Sequence, residues 1–125
     1  MRLTLDPKRP IYLQIMEEVK KRAGRGEYKS GHKLPSVREM AKSVGVNPNT
    51  IARVYMELER EGFIFTRRGQ GSFITEESGR LEEERMKLAD DATEQFIRAA
   101  QELELQNGHR HKLIEMIERK LAKKK

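Results

Sequence analysis

The chain has 125 residues, enough for one domain or a small domain with an appendage, and too few for a large enzyme with its own substrate domain. Apolar residues make up 36% and charged residues 37%, against about 25% charged in an ordinary globular domain, so the core is thin and suits a small domain plus long solvated or partner-packed helices. The 26 Lys and Arg exceed the 20 Asp and Glu, and the excess is uneven: residues 1–75 hold 15 basic and 8 acidic side chains, residues 76–125 hold 11 and 12. A basic first part suggests a polyanionic partner, with a soluble basic surface as the alternative. The absence of cysteine excludes disulfides, a thiolate nucleophile and a Cys-based zinc site. No apolar run approaches the ~20 residues that span a bilayer. MRLTLDPKRP lacks the apolar region of a signal peptide, so a cytoplasmic protein with no membrane partner is expected. Few Asn and Gln beside abundant Glu, Lys and Arg resemble thermophile composition.

Pro10 suits the first turn of a helix, where its missing N–H is harmless. Ile11, Ile15, Val19 and Ala23 then recur at i+4 spacing, with Tyr12 and Met16 beside them, and predict a helix ending near Gly24 and Gly26. Residues 26–35 read as a turn-rich connection. Ser36 with Glu39 three residues on is a capping-box pattern, and the short helix from Val37 stops at Gly45. Asn47 is the next N-cap, Pro48 the first helical residue, and Ile51, Val54, Tyr55 and Leu58 the apolar face up to Gly62. Residues 63–66 and 72–75 are β-prone and flank Arg67-Arg68-Gly69-Gln70-Gly71, a basic, glycine-rich hairpin tip. Two helices joined by a short turn, then a hairpin, predict a winged helix-turn-helix in residues 1–75.

Residues 76–125 change character. Ser78 is a candidate cap for a long helix whose stripe runs Leu81, Arg85, Leu88, Ala92, Phe96, Ala99, Leu103; some 28 residues would span about 42 Å. Asn107-Gly108 is a break. A last helix carries Leu113, Ile114, Ile117 and Leu121 on one face. The predicted fold class is mostly α with a small β-hairpin, a winged helix-turn-helix followed by a two-helix tail. Neither tail helix can bury its stripe alone, so Leu88, Ala92, Phe96, Ala99 and Leu103 are the candidate dimerisation face. Packing of that face back onto the winged helix is the alternative.

A recognition helix reads the major groove with its first turns, here Asn47, Asn49, Thr50 and Arg53. Asn suits adenine, Thr a thymine methyl or a phosphate, and Arg a guanine or a phosphate. Ser36 and Arg38 open the preceding helix, whose free N–H groups can meet a phosphate. Ser36 and Asn47 can also serve as caps alone, and Arg38 can pair with a carboxylate. In the tip, Arg67, Arg68, Gly69, Gln70 and Gly71 combine cations with glycines that let backbone approach a groove.

Lys33-Leu34-Pro35-Ser36-Val37-Arg38-Glu39-Met40-Ala41 resembles the LPS-x-R-x-L-A motif of the GntR family of bacterial transcription regulators. Gly45 through Gly62 resembles that family's recognition helix, and Arg67 through Ile74 its wing. Pro10-Ile11-Tyr12-Leu13-Gln14-Ile15 and the Val46–Thr50 stretch VNPNT are similar to its YtrA-like branch. The resemblance covers about residues 7–75. It implies a winged helix that binds double-stranded DNA as a homodimer, with DNA contacts at Arg38, Asn49, Thr50 and Gly71, and a regulator, as a repressor, of membrane-transport genes, chiefly ABC transporters. The operator would be an inverted repeat. Better-known branches place arginines where this chain has Pro48 and Ala52, so base readout is expected to shift to Asn49 and Arg53. The two-helix tail is too small to enclose an effector pocket of several hundred Å³, and too short for the aminotransferase-fused branch. A ligand at a dimer interface stays open, its identity unspecified.

An enzyme, a cofactor and a metal are not expected. His109 and His111 are two apart and point to different sides of a helix, His32 is isolated, and the carboxylates lie in runs such as Glu82-Glu83-Glu84. An architectural DNA binder or a protein-interaction winged helix, without a specific operator, is the remaining alternative.

Overall fold

The computed structural model describes residues 1–103 and 108–124, apart from the side chain of Ser78. Helix α1, Ile11–Gly24, forms where the i+4 apolar spacing places it and buries Ile15, Met16, Val19 and Ala23. Gln14, also buried, ties the N-terminal segment to α1: its amide donates to the carbonyls of Asp6 and Arg9, and its Oε1 accepts from the Asp6 N–H at 2.7 Å. Helix α2, Val37–Val44, starts in a complete capping box: the Ser36 hydroxyl accepts from the Glu39 N–H at 3.1 Å, and the Glu39 carboxylate from the Ser36 N–H at 3.0 Å. Those bonds hold the Glu39 carboxyl below the usual carboxylate range, with nearby Lys33 adding to the effect. Gly45 ends α2, and Asn47 opens α3, Pro48–Arg60, by accepting from the Asn49 N–H at 2.7 Å.

The hairpin pairs β1, Ile64–Arg67, with β2, Gly71–Ile74, antiparallel, in the register Ile64 opposite Ile74 and Phe65 opposite Phe73. Strand pairing is thus shifted by one residue from the β-prone runs. Phe63 stays outside the ladder and plugs the core with no exposed surface. The connection before α2 is not merely turns. Gly31 and Leu34 donate to the Ile74 and Ser72 carbonyls, the Ile74 N–H donates to His32, and Lys33 pairs with Phe73. A stretch with one apolar residue, Leu34, shows too little alternation to read as a strand, and it forms only an isolated bridge, Lys33 to Phe73, on the edge of β2.

The structure divides into two compact units, Met1–Leu88 and Ala89–Lys125. Helix α4, Ser78–Glu102, begins with Ser78 itself and is shorter than the predicted 28 residues; α5 is His109–Lys123. Asn107 of the expected break lies outside the described residues, and Gly108 immediately precedes α5. The first turns of α4 belong to the first unit. Leu81 and Glu84 are buried there, Arg85 Nε donates to the Gly24 carbonyl at 3.0 Å, and Leu88 covers Gly24 so closely that a Cβ there would meet its Cδ1 at 2.6 Å. One core therefore joins α1, α2, α3, the hairpin and Leu81. In the second unit no residue of α5 is buried, and Phe96, Ile97, Leu103, Ile114, Ile117 and Leu121 are all exposed. Among the described residues, no helix is long and apolar enough to cross a membrane.

Tyr55 links the helix-turn-helix to the segment before it. Its hydroxyl donates to the Pro35 carbonyl at 2.6 Å, and burial, with the charges of Tyr28 and Glu39 adding, pushes the phenol above its usual range. A raised folded pKa means stability that is complete below the unfolded phenol's value near 10 and is lost as pH rises above it. Urea melts are expected to show Tyr55→Phe less stable by about 1–2 kcal/mol at pH 8, with the gap to wild type closing as pH passes about 10. A gap independent of pH would show that the phenol ionises equally in both states.

Candidate nucleic-acid interface

The candidate DNA-contact residues come from three places in the first unit: the start of α2, the start of α3 and the hairpin tip. Ser36, Arg38, Asn47, Asn49, Arg53 and Arg67 through Gly71 are exposed, and Thr50 is half-buried. Both caps are real, so the Ser36 hydroxyl and the Asn47 carboxamide oxygen each already accept a backbone N–H. A DNA contact by either would share those atoms or use the Asn47 NH2.

The tip is a four-residue turn closed by the Gln70 N–H donating to the Arg67 carbonyl at 2.9 Å. Gly69, at its third position, has φ 78°, a left-handed value that side-chain-bearing residues rarely adopt. Gly71 has φ 115°, and a Cβ there would lie 3.2 Å from Lys33 Cε. Below the turn, Phe65 stacks on Phe73 at 5.4 Å, and the Arg67 guanidinium lies 5.4 Å from the Phe65 ring. On the other face of the hairpin, Thr66 and Ser72 share a hydrogen bond of 3.2 Å. The tip is therefore a built extension that carries two cations outward from a stiffened base.

A cleft of about 330 Å³ separates the wing from the start of α2, lined among others by Lys33, Ser36, Glu39, Tyr55, Gln70 and Gly71. The structure thus brings Ser36, Gln70 and Gly71 together. Asn47, Asn49, Thr50 and Arg53 are not on that cleft. Two residues of the surface were missed in the sequence. Lys33 reaches the cleft because its segment pairs with β2, a long-range contact without local signal. Tyr12 of α1 carries the Arg53 guanidinium over its ring at 3.7 Å; its i+4-adjacent position marked it only as core.

The arginines divide sharply. In the first unit Arg9, Arg22, Arg25, Arg60, Arg80 and Arg85 each lie within ion-pair distance of a glutamate. Among the described residues, Arg38, Arg53, Arg67 and Arg68 have no carboxylate partner, and only Arg2 of that unit shares this state. The ion-pair alternative for Arg38 is therefore not what the structure holds. Cations left unneutralised on a helix-turn-helix and a wing are free to release counterions from a polyanion.

The profile of the gntR family of bacterial regulatory proteins matches residues 11–74. The chain is 50% identical over 97 residues to the uncharacterized HTH-type transcriptional regulator YhcF of Bacillus subtilis (strain 168), covering 78% of this chain and 80% of that protein. It is 43% identical over 98 residues to the HTH-type transcriptional repressor YtrA of the same organism, covering 76% and 75%. A solved GntR family transcriptional regulator from Listeria monocytogenes superposes with a TM-score of 0.76 at 37% identity, over 92% of this chain and 98% of that one. A winged helix that matches the family model over residues 11–74 and relatives that are transcriptional regulators lead to one conclusion: the chain belongs to the gntR family and is a DNA-binding transcriptional regulator.

Proposed function

We propose that the chain is a cytoplasmic repressor that binds an inverted-repeat operator as a homodimer and controls membrane-transport genes, chiefly those of ABC transporters. The observation that carries the DNA-facing assignment is the set of unpaired arginines, Arg38, Arg53, Arg67 and Arg68, on the helix-turn-helix and the wing. The repressor sense is supported by the likeness to YtrA, whose name is that of a repressor. In this reading residues 1–75 are the DNA-binding domain. Asn49 and Arg53 read bases, Asn47 and Thr50 support them at the groove, Ser36 and Arg38 hold a phosphate, and Arg67-Arg68-Gly69-Gln70-Gly71 reach along the groove beside it. Residues 76–125 are the dimerisation tail. Its seam is carried by Ala92, Phe96, Ala99 and Leu103, while Leu88 sits over Gly24 at the root of α4.

Sites selected by the full chain from a randomised duplex pool are expected to share an inverted repeat. Recovery of DNA without a shared sequence would identify an architectural binder, and no recovery a protein-interaction module; either would sink the operator reading. On the selected site, Arg67→Ala with Arg68→Ala is expected to weaken binding to every duplex and flatten the dependence of log K on log salt by up to about 2. Far-UV circular dichroism should not change, because both side chains are exposed. An unaltered salt slope would remove the wing from the interface.

A further inference from the structure

Arg53 leaves the exposed side of α3 and lays its guanidinium over the ring of Tyr12, 3.7 Å from the centroid. Tyr12 belongs to α1, outside the helix-turn-helix, and is half-buried with its ring packed on the core. Its position is set by the same contacts that hold α1 on α3. A guanidinium spread on an aromatic ring uses its π face and keeps its N–H donors in plane, open at the edge. Among the described residues no carboxylate competes for those donors. The contrast with Arg68 is direct: that side chain is also exposed and without a carboxylate, yet no ring orders it. An arginine ordered before DNA arrives loses its rotamer freedom on folding rather than on binding, which favours a geometrically demanding contact over a diffuse one. The demanding contact available to a planar fork in the major groove is the O6 and N7 pair of guanine.

We propose that Tyr12 is the positioning residue for Arg53, holding its guanidinium as an ordered fork that donates from its edge to O6 and N7 of one guanine in each half-site. This rests on the reading of Arg53 as a base contact. It adds a residue of the first helix to the determinants of specificity, and it explains how a recognition helix with Pro48 and Ala52 in place of arginines keeps a guanine reader.

The test uses the full chain and the duplex that the wild-type protein selects from a random pool, together with versions changed one base pair at a time and one carrying 7-deazaguanine at the guanine concerned. Tyr12→Phe keeps the ring and is expected to bind within about twofold of wild type; Tyr12→Leu keeps apolar volume without a π face and is expected to lose about three- to tenfold. That loss should be confined to the base pair at which Arg53→Ala also loses preference, and should vanish on the 7-deazaguanine duplex and in the Arg53→Ala background. In the DNA-free protein, NMR relaxation of the Arg53 Nε–H should show an ordered side chain in wild type and Tyr12→Phe, against a mobile Arg68; this holds the proposal to account even if Tyr12→Leu fails to fold. Losses from Tyr12→Leu and Arg53→Ala that simply add, or an Arg53 as mobile as Arg68, would overturn the positioning role while leaving Arg53 a base reader. An Arg53→Ala that weakens all duplexes alike would show a backbone contact, and would end the base-reading assignment and this proposal together.

Discussion

Phe96→Glu with Leu103→Glu is expected to give a monomer that keeps a folded winged helix and binds its operator at least about 100-fold more weakly than wild type. One recognition helix contacts too few base pairs to find a site in a genome, and the proposed homodimer would join two. A two-fold dimer sets them about one DNA turn, roughly 34 Å, or a multiple of it, apart. Phe96 and Leu103 are 45% and 72% exposed, so glutamate there should cost the isolated chain little; buried in a seam, each charge would be desolvated without a partner. The mutant should also lose its dependence on half-site spacing, because independent monomers have none. Sedimentation velocity at micromolar concentration checks the assembly state, and circular dichroism the fold. A wild-type protein that sediments as a monomer, yet binds its inverted repeat tightly and without cooperativity, would remove dimerisation as the purpose of the tail.

The second large effect lies where α4 begins. Glu84 and Arg80 face each other at 3.7 Å with side chains 6% and 15% exposed, and neither Glu84 Oε1 nor Arg80 Nη1 makes a hydrogen bond. Lys20 of α1 bonds Glu61 at 2.6 Å and stands 3.9 Å from Glu84; Arg80 also approaches Glu61, at 3.8 Å, and lies 5.4 Å from the Phe63 ring. The cluster thus joins α1, the end of α3 and the root of α4. Removing one partner of a buried pair costs about 3–5 kcal/mol, because the other charge is left without compensation. Lys20 offsets part of this, so Arg80→Met is expected to lose about 2–4 kcal/mol in urea unfolding. Adding Glu84→Leu should return stability to within about 1 kcal/mol of wild type, since the stranded charge is gone. A single mutant within about 0.5 kcal/mol of wild type would show that solvent already screens the cluster. The effect belongs to stability and not to DNA contact, so affinity per folded molecule should hold.

Much of this molecule is written locally. The Ser36–Glu39 box, Asn47 and Gly45 specify helix ends through bonds made within four residues, and Pro48 is the first residue of α3 as expected, whereas Pro10, expected in the first turn of α1, stands one place before it at the N-cap. The i+4 apolar spacing of α1 and the Ile51, Val54, Tyr55, Leu58 face predict which sides are buried, because a helix shows the same face every turn. The basic tip between two β-prone runs likewise announces a hairpin, and a specific sequence motif announces the family.

What was not legible depends on partners distant in the chain. Residues 31–34 become strand-like only because β2 offers its free edge, and Lys33 enters the cleft by the same pairing. The apolar stripe predicted for the long helix reads as one continuous surface, yet Leu81 is spent in the first core and Leu88 over Gly24, while Phe96 stays exposed, as does Leu103 just past the end of α4. Periodicity records that a residue is apolar and on a given face; it carries no record of what that face meets. Arg53 shows the same limit for polar side chains. Its place on the recognition helix follows from spacing alone, whereas its stacking on Tyr12, 41 positions earlier, is decided by how α1 packs on α3. Local hydrogen bonding and helical period therefore determined the first three helices and their caps, and the sequence motif marked the family. Long-range packing decided the register of the wing, the root of α4 and the company its candidate reading residues keep.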